Sequence, residues 1–369
     1  MPSSVPLPFA VAVVRGRTPP FAVVRRRPEV HVVLEFQAVN GALAVGALLV
    51  ILVGCELFTN AIEWLGAKLN LSAGVCGSVL AAVGTALPET IVPIVAILLV
   101  RNGGAEEVGI GAILGAPFTL ATLAFTVTAI AVLAYTATGR RRSADMDVDP
   151  EVLGHDLGHF VVVYLIAVGA SFLPWHVAKP AVAALLLAVY VWYVWRHFGT
   201  GACITEDFDI APLRIQPRPD VPRLRWVLLQ TGLALGLIFV GAHVFVEHLT
   251  VLAQAVSISP LVLSIIVTPI ATELPEKFNS VLWVRSGKDT LAMGNITGAM
   301  VFQSTVPVSV GLLFTPWVLD RHALASAVVA LISGLVVYAY MRLRGRLSPW
   351  VLLVGLPLYL VFLYVALWA

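Results

Sequence analysis

Charge is scarce in this chain: Asp, Glu, Lys and Arg make up 12% of its 369 residues, roughly half the ~25% of an ordinary soluble domain. Hydrophobic residues reach 59% and the mean hydropathy is +0.93. That balance excludes a water-soluble globule and reads as a polytopic protein whose main partner is the lipid bilayer. A net charge of +2 leaves no basic surface for nucleic acid, and no obligatory protein partner is evident. Cysteine is nearly absent: Cys55, Cys76 and Cys203 form an odd set, two of them in or beside apolar runs, so no disulfide framework is indicated. There is no nucleotide-binding phrase, no His-Glu-x-x-His and no Gly-x-Ser-x-Gly. An ion gradient is therefore the expected energy source, and no cofactor is expected. Residues 1–37 hold five Arg and only short apolar runs, too short for a signal-peptide core; they read as a disordered basic tail or an over-extended start.

What the chain has in abundance is apolar length. A bilayer core takes about 20 helical residues, and runs of that kind fall at 38–62, 73–100, 107–135, 158–174, 178–197, 226–250, 258–284, 290–314, 318–341 and 348–368. The expected fold class is an all-α polytopic membrane protein with ten transmembrane helices. A Pro-rich, charged connection at 198–225 separates 38–197 from 226–369, five spans each.

The two halves match. One offset of 187 positions sets Gly54-Cys55-Glu56-Leu57-Phe58 against Gly241-Ala242-His243-Val244-Phe245, and Glu89 against Glu276. After a four-residue slip, Gly111-Ala112-Ile113-Leu114-Gly115-Ala116 sets against Gly294-Asn295-Ile296-Thr297-Gly298-Ala299. An odd number of spans per copy forces the two copies to insert in opposite directions, giving inverted five-helix repeats. Connections after odd-numbered spans carry fourteen Lys and Arg, among them Arg140, Arg141, Arg142, Arg214 and Arg342, while those after even-numbered spans carry Arg101, Lys179 and Arg321. The positive-inside rule then puts 198–225 in the cytoplasm and both termini outside, in the cell (inner) membrane, although the basic tail argues the other way.

Carboxylates are expensive inside a bilayer, at about 2.5–3.5 kcal/mol each on insertion scales, yet this chain places two of them in matching phrases. These are Gly84-Thr85-Ala86-Leu87-Pro88-Glu89 and Ala271-Thr272-Glu273-Leu274-Pro275-Glu276. Thr85 and Glu89 share a helix face, as do Thr272 and Glu276. Pro88 and Pro275 lack an N–H, which frees the carbonyls of Gly84 and Ala271 and predicts broken helices two and seven. Carbonyls, hydroxyls and carboxylates are the hard oxygen donors that Na⁺ and Ca²⁺ take. The plainer alternative is a proline kink with each Glu bonded to a neighbour. Glu273 adds a carboxylate and Lys277, four residues on, is placed to pair with it. Gln303 and Asn295 supply amides from span eight. His243, Glu247 and Glu56 are candidate modulators, in a proton relay or in helix–helix bonds. The glycine pairs at 111/115 and 294/298 read as close-packing positions. His155 and His159 have metal-like spacing but sit where span four leaves the membrane, and are not read as a metal site.

The two Thr-x-Leu-Pro-Glu phrases, their Gly-x-x-x-Gly-Ala partners and the five-plus-five spans resemble the sodium/calcium exchanger family of the cation/calcium antiporter superfamily, over about residues 38–369. The resemblance implies that Glu89 and Glu276 coordinate the transported cation, with Thr85 and Thr272 as carbonyl or hydroxyl ligands. The chain departs from the family at Ala86 and Glu273, where a hydroxyl residue is usual, and at Ala116, Leu120 and Ala299, where serine, amide or acid is usual. The expected activity is antiport of Ca²⁺ against Na⁺ or H⁺ at a midplane site by alternating access. An exchanger of monovalent ions alone, Na⁺/H⁺ or K⁺, is the rival, favoured by the missing ligands and by Lys277. An intramembrane enzyme using Glu89 and Glu276 as acid and base is a remote third; the protein is read as a transporter.

Overall fold

A computed structural model describes residues 30–68, 87–100, 103–199, 211–217 and 221–368. In chain order the helices are α1 (Val30–Lys68), α2 (Leu87–Leu98), α3 (Ala105–Thr119), α4 (Phe125–Ala137), α5 (Pro150–Gly169), α6 (Trp175–Gly199) and α7 (Leu224–Ala255), followed by α8 (Pro260–Arg285), α9 (Asp289–Gln303), α10 (Val306–Phe314), α11 (Arg321–Arg344), α12 (Pro349–Leu352) and α13 (Gly355–Trp368). Among the described residues, eight helical stretches are long and apolar enough to cross a bilayer, and Glu89–Leu98 and Pro260–Ile270 are shorter apolar helices. The chain is an all-helical, multi-pass membrane protein.

Local chemistry sets the ends. Asp149 caps α5 by accepting from the amides of Glu151 (2.8 Å) and Val152 (3.3 Å), with Pro150 in the first turn. Asp320 caps α11 in the same way, and α11 stops at Gly345, whose φ of 64° suits glycine.

Two expectations change. α1 begins at Val30, inside the segment read as a tail, because Val30, Val32, Val33 and Leu34 continue its helical run outward. The seventh span is unbroken: α8 runs from Pro260 to Arg285 although Pro269 and Pro275 lie within it. A proline inside a helix removes one hydrogen bond and can bend the helix without ending it. The interruptions fall instead in the third and eighth spans. Between α3 and α4, Leu120–Ala124 forms a π-turn, where the Thr122 hydroxyl donates to Phe118 O (2.6 Å). Between α9 and α10 the helix breaks at Ser304 and Thr305, since Pro307 has no N–H for the Gln303 carbonyl. The repeat alignment sets Leu120 against Gln303, so both irregularities sit at paired positions. The expected break near Pro88 cannot be placed, because Gly84 and Thr85 lie outside the described residues.

α1 and α7 pack along their lengths. A Cβ on Gly54 would meet Ile238 Cγ1 at 2.8 Å and Ala234 O at 3.1 Å, and one on Gly241 would meet Ile51 Cγ1 at 2.8 Å and Ala47 O at 3.1 Å. Contact rises along α1 as it falls along α7, so the two helices run antiparallel and each glycine receives the other helix. Together with α2 and the start of α3 they bury one apolar cluster around Ile51, Phe58, Ile238 and Phe245; the remaining helices build a larger one around Phe118, Phe125, Phe160 and Trp317.

The connections gather on two faces. On one, Arg141 pairs with the fully buried Asp289 side chain (Nη1 to Oδ1 2.6 Å) and reaches Val284 O at 2.9 Å, while Met146 N donates to Leu347 O (3.1 Å). The segment 211–217 belongs to this face. Asn60 Nδ2 and Trp64 Nε1 donate to Ala211 O at 3.0 and 2.9 Å, and Leu213 is buried beside Trp64 and Val227. On the opposite face Gln37 donates to Ala255 O (3.4 Å), Ser259 to Glu107 (3.2 Å), and Lys179 to the carbonyls of Pro316 and Trp317.

Candidate functional site

Glu89 stands in the first turn of α2 with 4% of its surface exposed, and it bears electrostatically on the Cys55 thiol of α1. On α8, Thr272 is buried and its hydroxyl donates to Thr268 O (3.1 Å). Thr268 in turn shares a hydrogen bond with Ser264 (3.0 Å), whose hydroxyl donates to Val108 O of α3 (2.7 Å). These three hydroxyls, four residues apart, line one face of α8. A Cβ at Gly111 or Gly115 would run into α8 backbone, at 2.6 Å from Leu261 O and 2.7 Å from Ile265 O, which is the close packing expected of that pair.

Glu273 follows Thr272 and is 1% exposed. The Gln303 amide, last in α9 before the break, donates to Glu273 Oε1 at 3.5 Å. Gln303 Oε1 and the Thr119 hydroxyl are buried with no hydrogen-bond partner among the described residues. Glu89, Glu273, Thr119, Gln303 and the α8 hydroxyls each offer oxygen, the donor type that suits a hard cation. Among the described residues no group of three or more His, Cys, Asp or Glu is gathered as a fixed metal site would need.

The other candidates are dispersed. Ala271, Glu276 and Lys277 lie on the α8 helix, with side chains beyond what the structure describes. Asn295 donates to Ser280 Oγ (3.4 Å), tying α9 to α8 near their common turn. The proposed modulators do not turn inward. His243 and Glu247 sit 3.6 Å apart with side chains 47% and 50% exposed, and Glu56, 66% exposed, pairs with Arg214 at 2.7 Å. The spacing of four residues placed His243 with Glu247 correctly, but α7 spends its buried face on α1. Ser264 and Thr268 went unremarked in the sequence, although their spacing with Thr272 was a readable signal.

A family model described as sodium/calcium exchanger protein matches residues 40–199 and 226–368. Inner membrane protein YrbG of Escherichia coli K12 is 24% identical over 311 residues, covering 84% of this chain and 90% of the relative. Among solved structures, the H⁺/Ca²⁺ exchanger CAX aligns with a TM-score of 0.64 at 17% identity, over 89% of this chain and 82% of that one. The sodium-calcium exchanger NCX_Mj aligns with a TM-score of 0.54 at 20% identity, over 90% of this chain and 100% of that one. At these identities the structural likeness establishes the fold.

Proposed function

Because the chain belongs to the sodium/calcium exchanger family, a family of transporters and not of enzymes, we propose that it is a secondary antiporter exchanging Ca²⁺ for Na⁺ or H⁺ at one site near the bilayer midplane. The observation that carries this reading is the burial of two carboxylates from opposite halves of the chain, Glu89 on α2 and Glu273 on α8. Glu89 and Glu276 are the central ligands. Thr85 and Thr272, the carbonyls of Gly84 and Ala271, Glu273 and Gln303 complete the set. The carboxylates accept one ion set at a time, so occupancy by one excludes the other, and that competition is the coupling.

Alternating access follows if α1 and α7 slide as a pair across the helices that carry the site. Their reciprocal glycine contacts support movement as a unit, and their antiparallel crossing supports two inverted five-helix repeats. The face bearing Arg141 and 211–217 carries most of the connecting Lys and Arg, which supports its assignment to the cytoplasm of the cell (inner) membrane, with both termini on the other side.

A rival reading is supported by the first half of the repeat, where Ala116 and Leu120 offer no donor opposite Ala299 and Gln303. With fewer oxygens the site would carry monovalent ions only. Uptake of radiolabelled Ca²⁺ into proteoliposomes separates the two. Ca²⁺ should enter when an outward Na⁺ gradient or a pH gradient is imposed, and should fail to enter in Glu89→Gln and Glu276→Gln proteins. Correctly inserted protein that exchanges Na⁺ for H⁺ and moves no Ca²⁺ would establish the rival.

A further inference from the structure

One buried carboxylate lies apart from this site. Asp156 of α5 is 2% exposed and accepts two hydrogen bonds from two other helices, from the Tyr193 hydroxyl of α6 (2.8 Å) and the Thr297 hydroxyl of α9 (2.7 Å). Tyr193 also lies over the neighbouring turn of α9, since a Cβ on Gly298 would come within 3.9 Å of its oxygen. Three helices thus meet at one acidic side chain.

Packing alone does not require it. The repeat sets Leu114 against Thr297, and Leu114 is fully buried among apolar neighbours, so an aliphatic residue is enough to seat the corresponding helix of the first half. A buried carboxylate that holds a hydroxyl where the other half packs a leucine points to a role beyond packing.

The role follows from what α9 carries. Its last residue is Gln303, whose amide reaches Glu273, and the helix breaks at the next two residues. Continuous backbone therefore does not hold the Gln303 end of α9, where side-chain contacts set the roll. At about 3.6 residues per turn, positions 297 and 303 point to different sides of the helix, so α9 is gripped by Glu273 on one side and by Asp156 on the other. We propose that Asp156 is a positioning residue for the cation site: by holding Thr297 and Tyr193 it sets the roll of α9 and keeps the Gln303 amide against Glu273. This rests on the reading that Glu273 and Gln303 belong to that site.

The test is transport kinetics in proteoliposomes, with Ca²⁺ uptake as the assay, or Na⁺ uptake if the wild type carries only Na⁺. Loss of a residue that orients a ligand costs about tenfold or more in cation affinity. Asp156→Asn and Thr297→Val should each raise the KM by about that factor with turnover per folded transporter held. Thr297→Ser, which keeps the hydroxyl, should restore the KM. An unchanged KM with lower yield or turnover in Thr297→Val would overturn the proposal and leave Asp156 a structural group. Glu89→Gln and Gln303→Ala are run alongside. If these abolish or weaken transport while the Asp156 and Thr297 variants keep their KM, only the positioning role fails. If Glu89→Gln transports normally, the cation site itself is misread and the positioning role falls with it.

Discussion

Glu273 and Gln303 meet at 3.5 Å in a place where the first half of the chain has Ala86 and Leu120. The proposed site is therefore lopsided, with its extra acid and amide both supplied by the second half. Replacing Gln303 by Leu removes the donor and the orphaned oxygen together, and leaves Glu273 buried without that amide. A hydrogen bond to a charged group contributes about 1.5–3 kcal/mol. Cation affinity should fall by roughly tenfold or more, read as a rise in KM, while Gln303→Glu retains a hard oxygen donor and should bind a divalent cation better than the Leu variant. At this scale much was legible from spacing: the two Pro-Glu phrases singled out Glu89 and Glu276, and Glu273 stood three residues before the second. Spacing of four residues also paired His243 with Glu247. It shows which side chains share a face but not which face a neighbouring helix will cover, and here α1 covers the other one.

At the scale of elements, the crossing of α1 and α7 is close on both sides. Neither Gly54 nor Gly241 leaves room for a side chain, since backbone carbonyls of the partner stand 3.1 Å from each ideal Cβ. Gly54→Val should lower the stability of the folded protein by about 1–3 kcal/mol, the usual cost of overpacking, seen as a lower unfolding temperature in detergent. Ile238→Ala should recover part of that loss, since Ile238 Cγ1 is the nearer obstacle at 2.8 Å. The repeat that pairs these glycines was visible in the sequence as a constant offset. Where the helices would break was not. Pro88, Pro117, Pro269, Pro275 and Pro307 each delete one backbone donor, and whether the chain then bends, loosens into a π-turn or stops depends on neighbours far away in sequence. The π-turn after α3 carries a Thr hydroxyl bonded to its own backbone, while the break before α10 follows directly from Pro307.

For the whole molecule, the face bearing Arg141 is held by a buried ion pair, and residues 211–217 tie α1 to α7. Arg141 and Asp289 are both nearly or fully buried, and Asp289 also accepts from Asp147 N (2.8 Å). Removing one partner of such a pair strands a charge, at about 3–5 kcal/mol. Arg141→Ala should therefore unfold well below the wild type. Arg346 and Asp145 stand 3.2 Å apart with side chains 60% exposed, and an exposed pair is worth about 0–1 kcal/mol. Arg346→Ala should be nearly indistinguishable from the wild type in the same thermal scan. The sliding proposed for α1 and α7 needs a part that stays still, and the Arg141–Asp289 pair is proposed to hold it. What the carrier does with its ions turns on whether both sets use the same carboxylates. The most direct check is equilibrium binding of radiolabelled Ca²⁺ to the purified protein, titrated with Na⁺ and separately with acid, for the wild type and for Glu89→Gln. Shared ligands require that rising Na⁺ or H⁺ shift the apparent Kd for Ca²⁺ without changing the number of sites, and that Glu89→Gln lose high-affinity binding. Ca²⁺ binding that neither ion displaces, or that survives intact in Glu89→Gln, would contradict exchange at a common site.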